Sequence, residues 1–142
     1  MTVVLLLIVV PQALAACSIS VTGVNFGTYD PSATNSNDST GNVSYRCNQN
    51  DAVTISLSRG NAPTFAPRQM HSGNEVLNYN LYRDATRSSI WGDATGGTVV
   101  YFDPAPPGRS VTVTVPIFGR IPPGQDVAIG TYSDNVTATA NW

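Results

Sequence analysis

The sequence predicts an all-β sandwich, and three observations predict it. Apolar residues recur at every second position in roughly seven or eight short segments, the period of a strand with one face toward a core. Clusters of Gly, Pro, Asn, Ser and Asp separate those segments and supply the turns. No stretch shows a sustained helical period. The turn spacing is that of two packed antiparallel sheets.

The first residues stand apart. Thr2 to Val10 is almost wholly apolar, Pro11 interrupts it, and Ala13-Leu14-Ala15 sets small residues where a signal peptidase reads them. Residues 1–15 therefore read as a secretory signal peptide, although no Lys or Arg precedes the apolar run. The run is shorter than the ~20 residues that span a bilayer. Residues 16–142 form the single expected domain.

Within it, Cys17 to Val24 alternates and predicts a first strand whose buried face carries Ile19 and Val21. Gly27 permits a bend, and the Ser/Thr/Asn/Asp-rich residues 32–41 read as a loop. Val43, Tyr45 and Cys47 alternate, as do Val53, Ile55 and Leu57, with Asn48-Gln-Asn-Asp51 between them, so the two runs are expected to pair as a hairpin. Residues 60–75 read as a long connection. Leu77, Tyr79 and Leu81 predict the next strand, Asp84–Gly97 a loop anchored by Trp91, and Thr98–Phe102 a short strand. Val111, Val113, Val115 and Ile117 predict another, with Pro116 marking an edge or a strand end. The last strand alternates from Val136 to Trp142.

Composition narrows the chemistry. The 142 residues carry a formal charge of −2, and only 11% are charged. All seven basic residues are arginines, scattered at Arg46, Arg59, Arg68, Arg83, Arg87, Arg109 and Arg120, which leaves no basic patch for nucleic acid or anionic lipid. His71 is the single histidine, in a Gly/Pro-rich stretch without a Gly-x-Ser-x-Gly elbow, so the chain is not expected to be an enzyme. One histidine and two cysteines make no metal site, and no cofactor is expected. Asp84 and Asp93 near Trp91 lack EF-hand spacing and read as solvated loop acids. Asn37, Asn42 and Asn135 begin glycosylation-type triplets, and two of the three fall in or beside predicted strands. Phe65, Trp91, Tyr101 and Phe102 lie near predicted loop tips, where they either contact a surface or cap the core.

Cys17 and Cys47 admit two readings: a disulfide of an exported protein, or a lipidated Cys17 after Leu14-Ala15-Ala16. The ends admit two as well. Both mature termini are predicted strands, no charge follows Asp134, and the last strand finishes on Trp142. Either the sandwich is complete, or its final strand comes from another molecule.

Cys17-Ser-Ile-Ser-Val, Val24-Asn-Phe-Gly-Thr-Tyr29, Gly41-Asn-Val-Ser-Tyr-Arg-Cys47 and Val53-Thr-Ile-Ser-Leu-Ser-Arg-Gly60 together resemble the spore coat protein U domain. So do Arg68-Gln-Met70, Leu77-Asn-Tyr-Asn-Leu-Tyr82, Ile90-Trp-Gly-Asp93 and Gly130-Thr-Tyr-Ser-Asp-Asn-Val136, and the resemblance runs from residue 17 to 142. This domain is the subunit module of archaic, Csu-type chaperone–usher pili. The resemblance implies an incomplete immunoglobulin-like sandwich lacking its last strand, with a Cys17–Cys47 disulfide. It implies a groove flanked by Ile19 and Val21 on the first strand and by Val136, Ala138, Ala140 and Trp142 on the last, with the terminal carboxylate as a grip for a chaperone's basic residues.

The partners implied are a periplasmic chaperone, an outer-membrane usher and neighbouring pilus subunits, with an abiotic or host surface as a further partner. The route implied is export to the periplasm, then the cell surface, a fimbrium or the medium. Only Ala16 precedes Cys17 after cleavage, and residues 3–10 are continuously apolar rather than alternating. The chain is therefore expected to accept a strand and not to give one, as a tip-like subunit does. The competing expectation is a self-sufficient secreted domain that binds carbohydrate or a surface.

Overall fold

The computed structural model describes residues 17–108 and 111–142. The expected signal peptide and Arg109 lie outside the described residues. Among these, the regular elements are eight strands: β1 (Cys17–Thr22), β2 (Asn37–Cys47), β3 (Val53–Leu57), β4 (Arg68–Ser72), β5 (Glu75–Tyr82), β6 (Tyr101–Asp103), β7 (Val113–Ile121) and β8 (Ala138–Asn141). They form a five-stranded sheet, order β1-β2-β7-β5-β4, and a three-stranded sheet, order β6-β3-β8. Every pairing is antiparallel. The core between the sheets takes the alternate residues Val43, Tyr45 and Cys47 of β2, all three residues Val53, Ile55 and Leu57 of β3, and Val115, Ile117 and Ile121 of β7. Burying apolar side chains such as these stabilises the fold by about 25 cal/mol per Å² removed from water.

The Val43–Cys47 and Val53–Leu57 runs do not form the expected hairpin. β2 pairs with β1 and β7, whereas β3 pairs with β6 and β8 in the other sheet. Alternation reports that one face is buried and is silent on which sheet owns the strand. Here residues 48–52 carry the chain across the sandwich, so both runs face the same core from opposite sides. The Cys17–Cys47 disulfide, closing a separation of 30 residues, pins β1 to β2 at that crossing. No free cysteine remains among the described residues.

Three boundaries also moved. β2 starts at Asn37, inside the expected loop, because residues 37–41 pair with Gly41-facing Ile117 and onward to Ile121 although their outward side chains are polar. β4 lies in the expected 60–75 connection, paired along its length with β5. Pro116 sits inside β7 rather than at its end. Its partner there is Asn42 of β2, and β5 reaches only Phe118, Gly119 and Arg120, so Pro116 falls where β7 has one neighbour and a missing N–H breaks no ladder. At the other sheet, β6 is a short edge strand followed by Pro104, Pro106 and Pro107, which blunt it against further pairing.

Arg68 ties the two layers together. It is 0% exposed, and its guanidinium donates to the carbonyls of Ser58 (2.7 and 2.9 Å) and Trp91 (2.6 Å) and to Oδ1 of Asn80 (2.9 Å). Burial lowers its pKa to about 10. Trp91 is also 0% exposed and donates its indole N–H to the Ile55 carbonyl at 2.9 Å. The residue expected among exposed loop aromatics is thus a core residue.

Candidate functional site: an open cleft between the first and last strands

The cleft begins where β1 leaves its ladder. After Thr22 the chain no longer pairs with β2 backbone. Instead Ser39 donates its hydroxyl to the Asn25 carbonyl (2.7 Å) and Asn37 its amide to that of Phe26 (3.0 Å). Val24 and Phe26 lie down on the large sheet, which is possible because Gly119 is there: a Cβ at Gly119 would sit 2.5 Å from Phe26 Cζ and 2.9 Å from Val24 Cγ1. Gly27, at φ +71°, turns the segment onward to Tyr29.

The opposite flank is the run into β8. Ser133 exchanges two backbone hydrogen bonds with His71 of β4 (2.8 and 3.0 Å), and β8 then pairs with β3. That run is held on one side only, since β8 is the last strand of its sheet. His71 thus serves as a strand residue of β4, bridged by its backbone.

Between the flanks lies a cleft of about 460 Å³. Leu57, Leu77, Leu81, Ile117 and Ile121 form its floor, so it opens directly onto the hydrophobic core. Phe26 and Tyr79 meet edge to face at 6.1 Å, as do Tyr29 and Tyr132 at 6.4 Å. The apolar lining has one charged member: Asp134 accepts from the Tyr79 hydroxyl at 2.6 Å. Burial, and then this carboxylate, push the Tyr79 phenol well above its usual range.

The expected groove residues are distributed as follows. Val21, Val136 and Ala138 line the cleft. Ile19 and Val21 share the inward side of β1 with buried Cys17, and their register partners Tyr45 and Val43 are buried. Yet Ile19 is 37% and Val21 52% exposed, against the buried face expected for them; among the described residues β1 is an edge strand that pairs with β2 alone. Ala140 is half-buried on β8 beside Ile55, and Trp142 is 49% exposed at its end. Pattern reading passed over Phe26, Tyr79 and Asp134. The signal for Asp134 was the period itself, since Tyr132, Asp134 and Val136 continue the alternation of the last strand upstream.

The aromatics expected at loop tips do not gather. Phe65 is half-buried with the Arg68 guanidinium 5.2 Å over its ring. Tyr101 shares a hydroxyl contact of 2.8 Å with Tyr45, which also donates to Asp103 at 2.5 Å. Phe102 points outward, 59% exposed. Among the described residues no group of three or more His, Cys, Asp or Glu could hold a metal ion. The Asp84 carboxylate is taken up by the hydroxyls of Ser88 and Thr86 and the N–H of Ser89, which hold it well below the usual carboxylate range. Asp93 is likewise engaged by Thr95.

A profile of the Spore Coat Protein U domain matches residues 3–139. The chain belongs to this family. Protein U of Myxococcus xanthus is similar, 35% identical over 144 aligned positions that cover 89% of this chain and 78% of that protein. A solved chain of the CsuC–CsuE chaperone–tip adhesion subunit pre-assembly complex, from archaic chaperone–usher Csu pili of Acinetobacter baumannii, shares the fold. Its TM-score is 0.59, at 24% identity over 89% of this chain and 39% of that one, so this spore coat U domain spans well under half of the solved chain.

Proposed function

We propose that this spore coat U domain is an exported structural subunit of a surface fibre or coat, completed by a strand that another molecule lays between β1 and β8. One observation carries the reading: the inward side chains Ile19 and Val21 stand uncovered opposite β8, which pairs with β3 alone, and a 460 Å³ cleft between these flanks exposes the core. An added strand would bond its backbone to the free edge of β8 and cover Ile19 and Val21 with alternate apolar side chains. The solved neighbour, which shares the fold, is described as a chaperone–tip adhesion subunit pre-assembly complex, and on that description the first occupant here is a pilus chaperone; replacement by a neighbouring subunit at an outer-membrane usher, and a tip position, rest on the family resemblance. Half-exposed Trp142 would then lie against the occupant.

The test is co-expression of the full chain with an archaic-class pilus chaperone in a bacterial periplasm. A 1:1 complex on size exclusion, and low yield without the chaperone, is the expected result. A cooperatively folded monomer that ignores both the chaperone and added strand peptides would overturn the reading.

A further inference from the structure

The run into β8 turns Tyr132, Asp134, Val136, Ala138 and Ala140 toward the interior, each half-buried, while Thr131, Ser133, Asn135, Thr137 and Thr139 face solvent. Asp134 is the one charged residue in the inward series. Its Oδ1 accepts from the backbone N–H groups of Asn61 (3.0 Å) and Asn135 (2.8 Å), and its Oδ2 from the Tyr79 hydroxyl (2.6 Å). A carboxylate offers about four acceptor positions, so one on Oδ2 is left to water. Asp134 cannot retreat from the cleft wall, because it already rests on Gly60: a Cβ there would lie 2.1 Å from Oδ2. Arg68 is near enough to feel its charge but donates no hydrogen bond to it. That guanidinium is committed to Ser58, Trp91 and Asn80.

A strand seated in the cleft would strip the water from Oδ2. With only apolar side chains on the strand, that oxygen would lose a hydrogen bond and gain nothing, a larger penalty than simple absence of a contact. We propose that Asp134 is a specificity-determining residue of the cleft: the incoming strand is apolar at its inward positions except the one facing Asp134, which carries a short hydroxyl side chain that donates to Oδ2. This rests on the strand-acceptor reading above.

The experiment is a scan on the full chain with twelve-residue peptides alternating Val and Ser. In each, one inward Val is replaced by Thr, and affinity is measured by titration calorimetry. One register should bind about tenfold more tightly than the all-Val parent, and that gain should vanish in Asp134→Val. Should Asp134→Val not fold, the scan on the unmodified chain decides alone. Peptides that all bind within twofold of one another overturn the role of Asp134 and leave the acceptor cleft standing. A Thr gain that persists in a folded Asp134→Val, or a larger gain from Lys than from Thr at that register, also overturns it. Failure of every peptide to bind removes the acceptor reading itself.

Discussion

Tyr29 and Gly130 exchange both of their backbone hydrogen bonds, at 2.8 and 3.3 Å, and so join the two flanks of the cleft directly. Tyr29 is buried at this junction, with Gln125 N–H on its hydroxyl at 3.3 Å and Tyr132 edge-on to its ring. Where the flanks pair with each other, no strand passes between them. Among the described residues the open stretch therefore covers the twelve from Thr131 to Trp142. Affinity of alternating peptides should rise with length to about a dozen residues, one strand residue opposing each flank residue, and then stay level. A steady gain from twelve to sixteen residues, measured by calorimetry, would show that the bridge does not bound the site.

Arg68 supports the floor beneath the cleft rather than its lining. Its guanidinium satisfies the carbonyls of Ser58, just past β3, and of Trp91. Replacement by Met keeps the volume but strands those acceptors without water. Arg68→Met should therefore cost about 3 kcal/mol, and Arg68→Lys, which cannot fork, at least about 1 kcal/mol. In urea, where slopes are about 1–3 kcal/mol per M, both appear as a lowered midpoint at unchanged slope. An Arg68→Met variant as stable as its parent would show that the buried fork contributes little.

Alkaline pH should weaken the domain through two buried phenols. Burial and the adjoining Asp103 and Asp134 carboxylates raise the phenols of Tyr45 and Tyr79 well above 10 in the folded chain. The unfolded chain gives up those protons near pH 10, so stability is intact below that point and falls above it. Two protons amount to about 2.7 kcal/mol per pH unit. Arg68 works in the opposite direction. Its folded pKa of about 10 lies below the ordinary 12.5, so from pH 10 to 12.5 the unfolded chain binds the extra proton and stability rises, offsetting about half of the fall. Urea midpoints at pH 9, 10 and 11 measure the net slope, and Tyr79→Phe should remove most of it. A flat profile would contradict the buried state of both phenols.

The disulfide should matter through the cleft as well as through the unfolded chain. A bridge across 30 residues is worth roughly 3–4 kcal/mol by chain entropy. Among the described residues β1 has no strand neighbour but β2, so loss of the disulfide frees the flank that carries Ile19 and Val21. Cys17→Ser with Cys47→Ser should lower the urea midpoint and weaken strand-peptide binding by more than tenfold. Unchanged peptide affinity in a folded double variant would show that β1 does not need this anchor to hold the flank.

The legible part of this fold was whatever alternation encodes. Val53, Ile55 and Leu57 were read as inward and are inward, and β1, β3, β5, β6 and β8 fall within about three residues of their expected positions. What alternation omits is the sheet to which a strand belongs, and the β2–β3 hairpin failed on that point. Polar β2 residues 37–41 and β4 were invisible for a related reason: their side chains face solvent or hydrogen-bond partners, and pairing with β7 and β5 makes them strands. The cleft was partly legible. Val21, Val136 and Ala138 stand on alternating strands and line it, whereas Phe26 depends on the absence of a Cβ at Gly119, a contact between residues 93 positions apart that no local pattern carries.

The two tryptophans offer a direct readout of strand capture because their environments are so unequal. Trp91 is fully buried, with its N–H bonded to Ile55, while Trp142 stands half-exposed at the end of β8. Trp91→Phe keeps an aromatic ring in the core and should cost about 1–3 kcal/mol, less than truncation to Ala. It leaves Trp142 as the sole indole, emitting as a solvated one. A strand that pairs with the free edge of β8 covers that ring along with Ile19 and Val21, so emission should shift to the blue in step with calorimetric saturation. Binding without any shift of Trp142 would place the bound strand away from β8, and would argue that the uncovered edge is not where this domain is completed.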